Sequence, residues 1–285
     1  MTAVFEARRR EASVKETGRI AFVGGGNMAE ALVRGLVTSG MKAEHISVSD
    51  PAATRRRIMA RRYGVRCYRD NLKAIEGAAV VVLAVKPQTM GAVLPEIGPA
   101  LESPVVVVSI AAGVRLKQLE SALPEVARVV RVMPNTPCLI GRGASVICPG
   151  SRARRTDVRR VERLLATVGK TFVVSDERLM DPVTGLSGSG PAYVYLFAEA
   201  LIRGAKRAGL PESLARELCY WTLAGASAML IETGRDPADL RRAVSSPGGT
   251  TVAGLAVLAA RDFTSAVAEA VVAATKRSRE LARGG

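Results

Sequence analysis

The stretch RIAFVGGGNMAEALVRGL, residues 19–36, decides the fold. A short apolar strand, Arg19–Val23, runs into Gly24-Gly25-Gly26, and a helix follows from Asn27. Gly24, Gly26 and Ala29 fit the spacing G-x-G-x-x-A. The first glycine permits the tight turn, the second lets backbone N–H groups approach a pyrophosphate, and the small third residue lets helix and strand close up. The helix start, with Asn27 and Met28, offers partial positive charge to phosphate oxygens. A bare glycine turn looks the same in isolation, so the flanking pattern has to decide.

Outward from this turn the pattern holds through the first half of the chain. Apolar runs at Ile20–Val23, Ile46–Val48, Val80–Val85, Val105–Ile110, Val129–Val132 and Ser145–Cys148 alternate with helical segments at Met28–Thr38, Thr54–Tyr63 and Leu116–Leu123. Near-continuous valine runs predict a parallel sheet covered on both faces. The alternation predicts an α/β, Rossmann-type doubly wound domain. A helix over Thr156–Val168 and a strand near Phe172–Val174 would complete it. Beyond Asp176 the strands cease. The segments Pro191–Gly209 and Leu214–Thr233 are apolar around most of the helix circumference, which predicts burial on several sides and, in so small a domain, against a second subunit. The expected division is a disordered basic tail over 1–17, a dinucleotide-binding domain over 18–176, and an all-helical dimerisation and substrate-binding domain over 177–285.

Composition narrows the function classes. Of 285 residues, 41 are Lys or Arg and 26 are Asp or Glu, a formal charge of +15. The arginine runs at Arg8–Arg10, Arg55–Arg57 and Arg152–Arg155 have no interleaved aromatics, so they read as solvated surface and not as a nucleic-acid platform. The charge-free run Leu218–Ile231 is too short to span a bilayer, and the N-terminus has no apolar signal region. A single histidine, His45, and four scattered cysteines (Cys67, Cys138, Cys148, Cys219) leave no ligand set for zinc. No metal is expected, and unpaired thiols suit a reducing cytoplasm.

Two groups of residues carry chemistry beyond the glycine turn. Ligands of open α/β sheets bind outside the carboxyl ends of the strands. Those ends here are Lys86-Pro87, Ser109 to Gly113, and Met133-Pro134-Asn135. Asp50 lies just after the second strand, where an acid bonds the ribose 2′-hydroxyl of NAD and repels a 2′-phosphate. Arg55, Arg56 and Arg57 follow at once and can clamp that phosphate, so the two cues oppose each other. The second group is SSPGGTTVAGLAVL, residues 245–258, a glycine-built turn with a helix starting near Val252. The N–H groups of Gly249, Thr250 and Thr251 would form a nest for a carboxylate. Thr250 and Thr251 read equally well as plain helix caps.

Together the pieces GGGNMAEAL, LAVKPQ, VVSIAAGV, MPNTP, GLSGSGPAYVY and ETGRDPADLRRAVSSPGGTT resemble pyrroline-5-carboxylate reductase, in the family's order and over about residues 18–275. The resemblance implies NAD(P)H-dependent reduction of 1-pyrroline-5-carboxylate to L-proline. It implies NADP(H) as the favoured cofactor, with NAD(H) also usable. The cofactor groove would comprise Gly24, Gly26, Asn27, Met28, Ala29, Ser49, Asp50, Arg56, Asn71, Ala84, Val85, Lys86, Pro87, Ala111, Ala112, Gly113 and Asn135. The substrate would meet Glu177, Ser246, Gly248, Gly249, Thr250 and Thr251, with the Thr251 hydroxyl facing the ring nitrogen as the catalytic group. The helical domain would form an intertwined homodimer, its SSPGGTT turn facing the cofactor of the other subunit, and dimers would assemble into rings of five. Asp50 stands where some relatives have Ser, and Ala243 where some have Asn. The competing expectation is another two-domain dehydrogenase acting on a hydroxy acid through a lysine, for which Lys206 is the internal candidate. A non-catalytic nucleotide-sensing or nucleic-acid-binding protein is the third.

Overall fold

A computed structural model describes residues 18–282. The tail expected over 1–17 lies outside the described residues. Two compact units emerge: one runs through Gly188 and takes in the chain from Ala274 onward, and the other is Ser189–Ala273. The sheet unit thus keeps the GLSG segment and the end of the last helix, which differs from a division at 176.

The sheet unit holds eight strands: β1 (Ile20–Val23), β2 (Ile46–Ser49), β3 (Arg66–Tyr68), β4 (Val80–Leu83), β5 (Val105–Ser109), β6 (Ala127–Met133), β7 (Gly143–Pro149) and β8 (Gly169–Val173). Their spatial order is β3-β2-β1-β4-β5-β6-β7-β8. The reversal from β1 to β4 creates the crevice in which doubly wound sheets bind ligands. All pairs are parallel except β6 with β7, which run antiparallel because a short connection and no crossover helix joins them.

Successive residues of the central strands feed two separate cores. Ile20, Phe22, Val80, Val82, Val106 and Val108 pack on one face. Ala21, Val23, Val81, Leu83, Val105 and Val107 pack on the other. Burial on both faces explains why these strands read as unbroken apolar runs. The helices α1 (Asn27–Thr38), α2 (Ala53–Tyr63), α3 (Asn71–Ile75), α4 (Met90–Ile97), α5 (Leu116–Ala122) and α6 (Arg155–Ala166) lie between strands, and α7 (Met180–Val183) follows β8.

The second unit contains α8 (Gly190–Arg207), α9 (Glu212–Thr233), α10 (Pro237–Ala243), α11 (Thr250–Ala260) and the first part of α12 (Phe263–Leu281). The Phe197 and Phe263 rings meet at 5.9 Å. Most of its apolar surface stays open: Trp221 is 75% and Ile231 82% exposed, and α8 buries none of its residues. Such continuous apolar exposure marks a surface built to be covered by another chain.

Candidate active site

The glycine turn follows from backbone geometry. Gly24 has φ +99°, and a Cβ there would lie 2.7 Å from the Ala84 carbonyl oxygen. The Gly24 N–H donates to the Ser49 carbonyl at 2.8 Å, so the turn hangs from β2 as well as β1. Gly26 is the N-cap of α1 and supplies no side-chain cap. The N–H groups of Asn27, Met28 and Ala29 therefore have no acceptor within the helix. Open space surrounds the Cβ position of Gly26. An uncapped helix start beside a cleared position fits a dinucleotide pyrophosphate.

In front of that start lies a groove of about 300 Å³. Gly26, Asn27, Met28, Ala84, Val85, Lys86, Pro87, Ala111 and Ala112 line it, nine of the residues expected to hold the cofactor. Ile110, Met133 and Pro134 complete the wall. The other expected residues sit behind or beside it. Ala29 is wholly buried beneath the turn. Ser49 is buried too, and its hydroxyl donates to Asn71 Oδ1 at 2.7 Å while Asn71 Nδ2 donates to Glu96 at 2.8 Å. Asn135 Oδ1 accepts from the Ala144 N–H at 2.8 Å and Nδ2 donates to Ser187 at 3.2 Å, which ties β6 to the π-helical turn Thr184–Gly188. Gly113 has φ +77° and abuts Leu281.

The opposed cues after β2 acquire distinct tasks. Asp50 Oδ2 accepts from the Gly25 N–H and Oδ1 from the Ala52 N–H, both at 2.8 Å, so this carboxylate braces the glycine turn. Arg55 is spent from within: its Nε donates to the Gly25 carbonyl at 2.6 Å and Nη2 to Glu30 at 2.7 Å. Burial opposes the charge of Glu30, but hydrogen bonds from Arg55, Tyr63 and Arg62 outweigh it and hold its carboxyl below the usual range. Arg56 donates through Nη1 to the Asp50 and Pro51 carbonyls, which stations its guanidinium over the β2–α2 turn. The sequence pattern offered no sign that Arg55 would be consumed as a brace.

Glu177 is placed by two contacts far apart in sequence. Its Oε1 accepts from the Leu116 N–H at 2.7 Å and pairs with Arg131 at 2.8 Å. It lines a separate polar cleft and not the nucleotide groove.

In the helical unit, the SSPGGTT turn has a conformation of its own. Gly248 has φ +72°, and the Gly249 N–H donates to the Ser246 carbonyl at 3.0 Å. α11 starts at Thr250, two residues earlier than expected, with Gly249 as N-cap and no side-chain cap. Neither threonine is therefore a cap. Because the Gly249 N–H is taken, the donors left without an intrahelical acceptor are those of Thr250, Thr251 and Val252. Lys206, half-exposed, pairs with Glu212 at 2.5 Å, the arrangement of a solvated helix face. The four cysteines are free, and burial together with the Glu177 charge pushes the Cys148 thiol up to about 11. That disfavours the thiolate a nucleophile needs.

Comparison with known proteins decides what this arrangement belongs to. The chain is 41% identical over 266 residues to pyrroline-5-carboxylate reductase of Pseudomonas aeruginosa, covering 93% of this chain and 97% of that one. The chain belongs to the pyrroline-5-carboxylate reductase family. The family description "Pyrroline-5-carboxylate reductase dimerisation" matches residues 177–281, and "NADP oxidoreductase coenzyme F420-dependent" matches 19–113. A pyrroline-5-carboxylate reductase from Coxiella burnetii superposes with a TM-score of 0.88 at 36% identity, over 93% of this chain and 99% of that one. A Plasmodium falciparum pyrroline carboxylate reductase with NADP bound gives 0.84 at 32% identity, over 93% and 98%. The dimerisation match explains the uncovered apolar helices of the second unit. Among the described residues no helix is long and apolar enough to cross a membrane.

Proposed function

We propose that the chain reduces 1-pyrroline-5-carboxylate to L-proline, the final step of proline biosynthesis, with NADPH favoured and NADH also accepted. One observation carries this: relatedness to pyrroline-5-carboxylate reductases spans 93% of the chain, so the nucleotide groove and the SSPGGTT turn belong to one family together. When bound, the nicotinamide cofactor supplies the hydride. The chain's residues do the rest. The Asn27–Ala29 N–H groups hold the pyrophosphate, Arg56 meets the 2′-phosphate, and the small side chains of Ala84, Ala111 and Ala112 leave room for flat rings. Ser49, Asp50, Asn71, Gly113 and Asn135 shape the groove from behind.

The substrate carboxylate is assigned to the turn Ser246–Thr251, whose open N–H groups bind an acid without a charged side chain. As carbon 5 of the ring takes hydride, the ring nitrogen gains an electron pair and needs a proton. The Thr251 hydroxyl holds that nitrogen and relays the proton; its own pKa is too high for it to act as the ultimate acid. The working assembly is a homodimer that builds a decamer of five dimers, in the cytoplasm. Purified protein is expected to consume NADPH absorbance only when 1-pyrroline-5-carboxylate is added. Folded protein that turns over neither NADPH nor NADH overturns the proposal.

Cofactor choice gives a sharper prediction. Asp50→Ser removes a negative charge from the end of β2, where an acid opposes a 2′-phosphate; at about 1 kcal/mol for that repulsion, the NADPH:NADH ratio of kcat/KM should rise ~5-fold. An unchanged ratio means that Asp50 serves the turn alone.

A further inference from the structure

The sheet unit carries a second cleft of about 270 Å³ that shares no lining residue with the nucleotide groove. Arg115, Arg131, Arg178 and Arg279 line it with Glu177 and Asp181, four guanidinium groups against two carboxylates. One oxygen of each carboxylate has a partner. Glu177 Oε1 serves the Leu116 N–H and Arg131, and Asp181, itself buried, accepts from the Ser278 hydroxyl at 2.7 Å. Arg178 pairs with Asp176 at 2.9 Å. Arg115 and Arg279 have no ion-pair partner among the described residues.

Arg131 is the base of the cleft, only 4% exposed. Of its guanidinium nitrogens, only Nη1 has a protein acceptor among the described residues. No side-chain nitrogen of Arg131 is both sealed from solvent and without a partner, and Arg131 lines the cleft. A buried guanidinium is costly unless its charge and its donors are met. The bond from Ser278 to Asp181 fixes the end of α12 at this cleft, and with it Arg279 next in sequence. Two guanidinium groups without an ion-pair partner, Arg115 and Arg279, line the same cleft as the buried Arg131, and a doubly charged oxyanion offsets their like charge while taking forked hydrogen bonds from the guanidinium planes.

We infer that this cleft is an anion site selective for a phosphate group, separate from the pyrophosphate turn at Gly24–Ala29. It is wired to the groove through the backbone. Arg131 lies two residues before Met133 on β6, and Arg115 three residues after Ala112; Met133 and Ala112 line the groove. An anion held by both arginines therefore bears on two strand ends that also shape the nucleotide site. This last link rests on the cofactor assignment above; the binding itself does not.

The test uses inorganic phosphate as probe on the full chain, with potassium chloride at matched ionic strength as reference. Millimolar phosphate is expected to raise Tm by about 2–4 °C over chloride. In the double variant Arg115→Gln with Arg279→Gln, both exposed positions, most of that rise should vanish, whereas Arg56→Gln should retain it. Phosphate-free activity of the double variant should stay within ~2-fold of the parent, so a failed anion site is told apart from a failed reductase. Glycerol phosphate separates the sources: a larger rise than with phosphate identifies a phosphomonoester as occupant, a smaller one the free ion. No phosphate-specific rise, a rise that survives the double variant, or one lost only in Arg56→Gln overturns the inference.

Discussion

Thr251→Val is expected to lower kcat by about 10²-fold or more at saturating NADPH while leaving the protein folded. The expectation follows from where the hydroxyl sits. Thr251 is exposed at the second position of α11, whose N-cap is Gly249 with no side-chain cap, so valine removes no capping bond. Valine keeps the shape and the β-branch, and its cost to a helix end is a few tenths of a kcal/mol. Whatever activity is lost therefore reports on the hydroxyl. Thr251→Ser should restore kcat to within ~5-fold, because it returns the donor at the price of one methyl contact. If the hydroxyl holds the ring nitrogen mainly as it acquires its proton, the fall appears in kcat more than in KM. Parent-like kcat in the valine variant would remove Thr251 from the chemistry.

How much of this was legible in the sequence differs between the two units. In the sheet unit the strands announce themselves, because burial on both faces forces unbroken apolar runs such as Val105–Val108. The three-residue edge strand Arg66–Tyr68 escaped, since only one neighbour pairs with it and its residues are polar enough to pass for a loop. The groove wall was read from strand ends, and from those segments Lys86, Pro87, Ile110, Ala111, Ala112, Met133 and Pro134 line the groove. What spacing cannot reveal is which polar groups the backbone itself consumes. Asp50 and Arg55 looked like rival ribose ligands, yet the Gly25 N–H and carbonyl engage one each. Glu177, which family likeness assigns to the substrate, is held by Leu116 and Arg131, contacts that span 61 and 46 residues of sequence and that no local pattern announces. The helical unit gave up its dimeric character easily, because helices that are apolar on most sides need more neighbours than one chain supplies. It hid the start of α11, since Thr-Thr after two glycines satisfies the rules for a cap and for a first helical turn equally.

The glycine turn offers a pair of substitutions that separates fold from site, with the larger effect at Gly24. Gly24→Ala should cost several degrees of Tm and about 10²-fold in kcat/KM for NADPH. At φ +99° an alanine is strained in any surroundings, and its Cβ would stand 2.7 Å from the Ala84 carbonyl oxygen and 2.9 Å from its carbon. That backbone cannot yield freely, because the Ala84 N–H donates to the Val23 carbonyl at 2.8 Å and Ala84 itself forms the groove wall. Relief must come from the turn, which moves the start of α1 away from the pyrophosphate position. Gly26→Ala makes the contrast. Its φ of −68° suits any residue, and no protein atom lies within 4 Å of its Cβ position. Stability should therefore hold, or gain slightly from a stiffer unfolded chain. The added methyl projects into the space beside the uncapped helix start, so the KM for NADPH should still climb ~10-fold or more. Two glycines two residues apart would then fail for different reasons, one through its backbone and one through the room it leaves. A Gly26→Ala protein with the parent's KM would mean that the pyrophosphate rests elsewhere, however well the turn is built to receive it.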